Sequence, residues 1–151
     1  MQIKEIQPIN FLFFRKQTTI PLLNDIIPVS QEVYREAVAQ RLKITGPIHW
    51  HYMGIMDLVS PFTLEISLPV SEVKKDYDGA FHFKRTELYK CASVFHEGSF
   101  ETIQKSYDKV FQLLAESKLR PTGFNREIYI NIDFGNPSAS FTELQIGVVG
   151  V

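Results

Sequence analysis

The sequence predicts an α+β fold in which one strand–helix–strand–strand unit occurs twice. The copies are related by a pseudo-twofold axis and share an antiparallel sheet, with two helices on one face and a ligand groove on the other. Three observations predict it. Apolar residues recur at helical spacing in two separate segments, strands with a period of two flank each segment, and turn and tyrosine landmarks repeat in the same order.

Residues 11–19 (FLFFRKQTT) read as a strand, rich in aromatic and β-branched side chains. Ser30 is a suitable N-cap, and Val33, Tyr34, Ala37, Val38 and Leu42 follow at helical spacing. Thr45, Gly46 and Pro47 end that helix, and residues 48–53 form the next strand. In residues 62–70, Phe62, Leu64, Ile66 and Leu68 alternate with polar neighbours, as in a strand with one buried face.

Residues 71–79 are charged and turn-rich and connect the halves. Residues 80–95 are strand-like, with a kink at 84–86. Gly98 and Ser99 stop the strand and cap a helix in which Ile103, Tyr107, Val110, Phe111 and Leu114 form one stripe. Pro121 and Gly123 close it, and residues 124–132 and 142–149 are two further strands.

The copies, about 9–70 and 80–149, then align within a single domain spanning 1–151. Tyr52 and Tyr129 each lie six residues after a glycine, Gly46 and Gly123. Glu65 and Glu143 lie 19 and 20 residues after the same glycines.

Composition excludes several function classes. The net charge of −1 gives no basic footprint for nucleic acid or anionic lipid, so no direct nucleic-acid binding is expected. No segment approaches the roughly 20 apolar residues of a membrane span. No signal peptide is recognisable, and the single cysteine, Cys91, reads as a small apolar strand residue in a reducing compartment, so a cytoplasmic location is expected. Aromatic residues make up 13% of the chain, more than a small core needs, and the surplus suits a cavity wall.

Strand alternation proposes the contents of the groove. If Ile128 and Ile130 lie under the helices, Glu127 and Tyr129 face the groove, and by the repeat so do Trp50 and Tyr52. Phe13 and Phe95, from the aromatic surplus, complete the candidate ligand-binding set. A carboxylate among aromatic rings suits a flat cation, each good cation–π contact contributing roughly 0.5–2 kcal/mol. On pattern alone, Glu127 equally fits an exposed strand residue paired with a lysine or arginine.

The same parity sends His49 and His51 toward the helices, where two histidines are awkward. A metal would need a third ligand, and none lies within sequence reach, so no metal site is expected. No cofactor is expected either. There is no nucleophile elbow, catalytic triad spacing or phosphate loop.

These residues resemble a known family. His96-Glu97-Gly98-Ser99-Phe100-Glu101 resembles the start of the second helix of the GyrI-like small-molecule-binding domain, the effector-binding domain of AraC-type and MerR-type bacterial regulators. Arg126-Glu127-x-Tyr129 resembles that family's Glu-x-Tyr strand, Gly46-Pro47 with Tyr52 its first-half counterpart, and Glu65–Val70 its closing strand. The likeness runs from about Ile9 to Val149. It departs at Gly147, where the family usually has proline, at Phe100, where tyrosine is more frequent, and across residues 20–29.

The resemblance implies a ligand groove in which a glutamate, here Glu127, meets lipophilic cations among aromatic side chains, with Tyr129 as the family's tyrosine. Nothing in the chain reads as a helix-turn-helix, so a stand-alone small-molecule-binding protein for hydrophobic or cationic compounds is expected. The resemblance offers two alternatives. One is a hydrolase of reactive, cyclopropane-type molecules, with Glu127 as general base and Tyr129 assisting. The other is a protein-binding module of the gyrase-inhibitor kind.

Overall fold

Alternating apolar side chains build eight strands, and two apolar helical stripes cover them. In the computed structural model, which describes residues 1–150, the order is β1 (Gln2–Ile6), β2 (Asn10–Thr18), α1 (Leu23–Ile26), α2 (Val29–Ala39), β3 (His49–Met53) and β4 (Phe62–Pro69). Then follow β5 (His82–Arg85), β6 (Tyr89–Glu97), α3 (Ile103–Ala115), β7 (Leu119–Asn131) and β8 (Phe141–Gly150). All strands join one antiparallel sheet in the order β1-β6-β8-β7-β3-β4-β2-β5.

This is the expected α+β architecture. The units β2-α2-β3-β4 and β6-α3-β7-β8 meet at β3 and β7, and strand roles run in mirrored order on either side of that pair. Each helix serves its own unit. Val33 and Ala37 of α2 pack with Leu12, Leu64, Ile66 and Leu68, whereas Val110 and Leu114 of α3 pack with Ala92, Ile146 and Val148. Val38, expected in the first stripe, faces solvent.

Several expectations are revised. A short β1 pairs with β6, and α1 adds a third helix within the segment that fitted the family poorly. The kink at 84–86 is a complete break, because the chain leaves β5 to cross the molecule before β6. Pro121 and Gly123 do not close α3, which ends at Ala115; they lie inside β7. The β7–β8 register shifts between Pro121 and Asn125, and Gly123 has φ +87°, a bulge that accommodates a strand proline.

The face carrying the groove also differs from the expectation. Trp50, Tyr52, Glu127 and Tyr129 share the helical face with Leu64, Ile66 and Leu144. The groove is the gap between the helices, not the surface opposite them. The expectation failed because it put both isoleucines under the helices; Ile128 instead points to the helix-free face beside His49, and Ile130 is exposed.

The helix-free face is buried as well. The links after β1 and β5 are three residues long, yet each joins strands six spacings apart in the sheet. Six flat spacings would span about 29 Å, whereas such a link reaches about 14 Å. The sheet must therefore curl until its edges approach. The links are bonded to each other, with Thr86 N donating to Ile9 O at 2.9 Å and Ile9 N to Thr86 Oγ1 at 2.9 Å. Phe11, His51 and Cys91 on this face are fully buried without any helix above them.

Gly147 locks the bulge of β7 against β8. A Cβ there would lie 2.5 Å from Thr122 Oγ1 and 2.6 Å from the Phe124 carbonyl oxygen. Gly147→Ala is expected to destabilise the fold by about 1–3 kcal/mol through overpacking, seen as a lower urea midpoint with an unchanged slope. A wild-type midpoint would contradict this packing.

Candidate functional site

The helices stand apart because each covers its own half, and the uncovered junction becomes a cavity of about 830 Å³. Its floor is β3 and β7, where Trp50 and Glu127 are direct partners across the strand pair. Leu23, Ile27, Ser30 and Tyr34 wall one side, and Phe100, Ile103, Tyr107 and Phe111 the other. Ile55, Met56 and Leu58, on the loop after β3, and Phe134, on the loop after β7, frame the mouth.

Glu127 is 7% exposed, and no cationic side chain pairs with it among the described residues. Three phenols hold it instead. Its Oε1 accepts from Tyr129 at 2.6 Å and Tyr52 at 3.1 Å, and its Oε2 accepts from Tyr107. Burial raises the carboxyl above the usual carboxylate range, while the three hydroxyls and, least, the charge of His96 pull in the opposite direction. Burial and then the adjacent negative charge push Tyr52, Tyr107 and Tyr129 upward, which keeps all three phenols protonated as donors.

The rings are fixed in turn. Trp50 Nε1 donates to Ser30 Oγ at 3.1 Å. Ser30 was expected to cap α2, but the helix begins at Val29 and its hydroxyl serves the tryptophan. Tyr129 meets the edges of Trp50 and Phe100 at centroid distances of 5.9 and 5.3 Å.

Four of the six candidate ligand-binding residues, Trp50, Tyr52, Glu127 and Tyr129, therefore line one cavity. Phe13 and Phe95 do not. Phe13 lies on the helix-free face, with Lys84 4.8 Å above its ring, because Leu12 and Phe14 take the helical side of β2. Phe95 stacks on Phe141 at 5.1 Å and is half exposed, because Ala92 and Val94 occupy the helical side of β6.

Tyr107 was read as part of the α3 core stripe, and its role at Glu127 was missed. The available signal was its hydroxyl: a phenol in an apolar stripe needs an acceptor across the interface. Asp57, at the cavity mouth, carried no pattern; it accepts from Val59 N and Ser60 N and shapes its loop.

The histidines lie elsewhere. His49 Nδ1 and His51 Nε2 are 3.1 Å apart on the helix-free face. Burial, aided by Arg126 and Lys84, lowers His49 to about 3 and His51 well below its usual range, so both are neutral. Among the described residues, no group of three or more His, Cys, Asp or Glu side chains is arranged to hold a metal. His96 is bound into the start of α3, its Nε2 2.8 Å from Ser99 O and its Nδ1 2.8 Å from Ser106 Oγ.

The model of the GyrI-like small molecule binding domain matches residues 1–148. Among solved structures, the chain is similar to the EcmrR C-terminal domain, with TM-score 0.83 and 19% identity, covering 99% of this chain and 97% of that one. It is similar to SAV2435, whose structure holds tetraphenylphosphonium, with TM-score 0.69 and 14% identity, covering 99% and 93%. It is also similar to a hydrolase encoded by lin2189 from Listeria innocua, with TM-score 0.64 and 17% identity, covering 98% and 92%. At these identities the structural likeness is one of fold. No curated protein sequence matches the chain.

The phenol cage itself is testable. Tyr107→Phe removes one donor to the ionised carboxylate, so Glu127 is expected to protonate at a higher pH than in wild type. Carboxyl carbon NMR would follow the titration, and an unchanged midpoint would contradict the cage.

Proposed function

We propose, for a chain that belongs to the GyrI-like family, that the cavity binds a lipophilic organic cation against Glu127. The observation that carries this reading is the charge of the wall. It includes two carboxylates, Glu127 and Asp57, and no lysine, arginine or histidine. A buried carboxylate without a cationic partner attracts one from outside, and aromatic walls replace the hydration that a flat or bulky organic cation gives up. The size is compatible, since drug-sized ligands occupy cavities of roughly 300–1,000 Å³. The tetraphenylphosphonium bound to SAV2435 has this chemistry, and it supports the reading by analogy of fold.

Hydrolysis with Glu127 as general base has weaker support. A general base must accept a proton from its substrate or a water. Here two phenols already occupy Oε1 and a third occupies Oε2. The cage favours a fixed counter-charge over proton transfer.

Tetraphenylphosphonium titrated against the protein, with Trp50 fluorescence as the signal, tests the proposal. Glu127→Gln is expected to weaken binding about 10- to 100-fold, equivalent to about 1.4–2.8 kcal/mol. The uncharged analogue triphenylphosphine oxide should bind both proteins alike. Equal affinity of both proteins for the cation would overturn the role given to the carboxylate.

A further inference from the structure

Arg126 is the member of the Arg126-Glu127-x-Tyr129 strand that the cavity leaves unused. It points to the helix-free face and is only 2% exposed. Its guanidinium carbon lies 4.0 Å from the Tyr89 ring centroid, 5.5 Å from that of Phe124 and 5.9 Å from that of Phe11. The rings attract the charge but offer no lone pairs in the guanidinium plane. Its Nε and Nη1 are buried without an acceptor among the described residues.

The neighbouring charges do not compensate. Lys4 pairs with Glu143, while Arg15 and Lys84 share Glu65. His49 and His51 are neutral and contribute no negative charge. By these pairings two carboxylates face four cations, and the cation left without a carboxylate is the most deeply buried. An unpaired buried ion carries a large desolvation cost that a bound counter-ion would relieve. The paired acidic groups are engaged, so the counter-ion must come from solution.

A route exists. Tyr89 and Phe124, the rings closest to the guanidinium, also wall a second cavity of about 430 Å³ together with Leu88, Lys90, Thr122 and Val148. No carboxylate side chain lines it. Its volume accommodates a phosphate or a short organic acid.

We propose that the protein binds a small oxyanion, carboxylate or phosphate, on the free guanidinium nitrogens of Arg126, reached through this second cavity. The site lies on the opposite face of the sheet from the Glu127 cavity and takes a ligand of opposite charge. Arginine suits this task because its planar donors match oxyanion geometry.

The test is an NMR titration of the ¹⁵N-labelled protein, following the Arg126 Nε–Hε resonance, assigned by its loss in Arg126→Lys. Potassium phosphate, formate and chloride are added at equal ionic strength to about 100 mM, with the melting temperature measured in parallel. The expected result is a saturable shift at Arg126, absent at exposed Arg15, with a melting temperature that rises and levels off. Saturation by phosphate alone would identify a phosphate site, and saturation by formate an organic-acid site. Loss of the thermal effect in Arg126→Met would support the assignment; if that variant fails to fold, the wild-type titration still decides. A shift that is absent, linear, or equal at Arg15 would overturn the proposal. The guanidinium would then be satisfied internally, for instance through water to Gln145 Oε1, which also lacks a donor.

Discussion

The carboxylate of Glu127, buried at the junction of the two halves and held by three phenols, is the constraint around which the rest of the structure is arranged. Its partners come from three elements: Tyr52 from β3, Tyr129 from β7 and Tyr107 from α3. Both halves must therefore be assembled before the carboxylate is satisfied, and α3 must sit close enough to reach over the junction. The phenols meet the hydrogen-bonding demand of the group without neutralising it. Such a site retains a negative charge in an apolar wall, and a buried polar group is retained at this cost where it fixes structure or serves a ligand.

One strand divides the molecule electrostatically. Along β7, Glu127 turns to the helical face and Arg126 to the helix-free face, so adjacent residues place opposite charges on opposite sides of the sheet. The short crossing links curl the sheet and bury both faces. On the helical side, the helices flank a cavity walled by aromatics and carboxylates. On the other, the curl encloses Arg126, the paired carboxylates Glu65 and Glu143, two neutral histidines and aromatic rings. The histidines owe their neutrality to that enclosure, because burial and the nearby cations both disfavour their charged form.

Much of this was legible in the sequence because it rests on local periodicity. The α2 and α3 stripes, the alternation of β4 and the paired glycine and tyrosine landmarks each report one element at a time. The choice of face was not legible. Alternation separates Glu127 from Ile128, but it cannot name the helical side when curvature buries both sides. Ile128 looked like a core residue and is one, but of the other core. Phe13 and Phe95 were misplaced for the same reason, since apolar residues occupy both faces of β2 and β6. Tyr107 went unrecognised because its apolar ring satisfies the helical stripe while its hydroxyl acts across the interface. Arg126 gave no local signal at all, since a strand arginine is ordinarily exposed.

The central claim is that Glu127 acts as the counter-charge for a cationic ligand, and the pH dependence of binding tests it most directly. Burial raises the pH at which the Glu127 carboxyl ionises, and a cation selects the ionised form. Binding must then release a proton in that pH window. Affinity for tetraphenylphosphonium, measured by calorimetry across that window, should strengthen as pH rises toward the Glu127 midpoint, approaching about tenfold per pH unit below it, and level off above. Glu127→Gln should show no such slope. A wild-type affinity independent of pH through the window, with no proton released, would contradict the account.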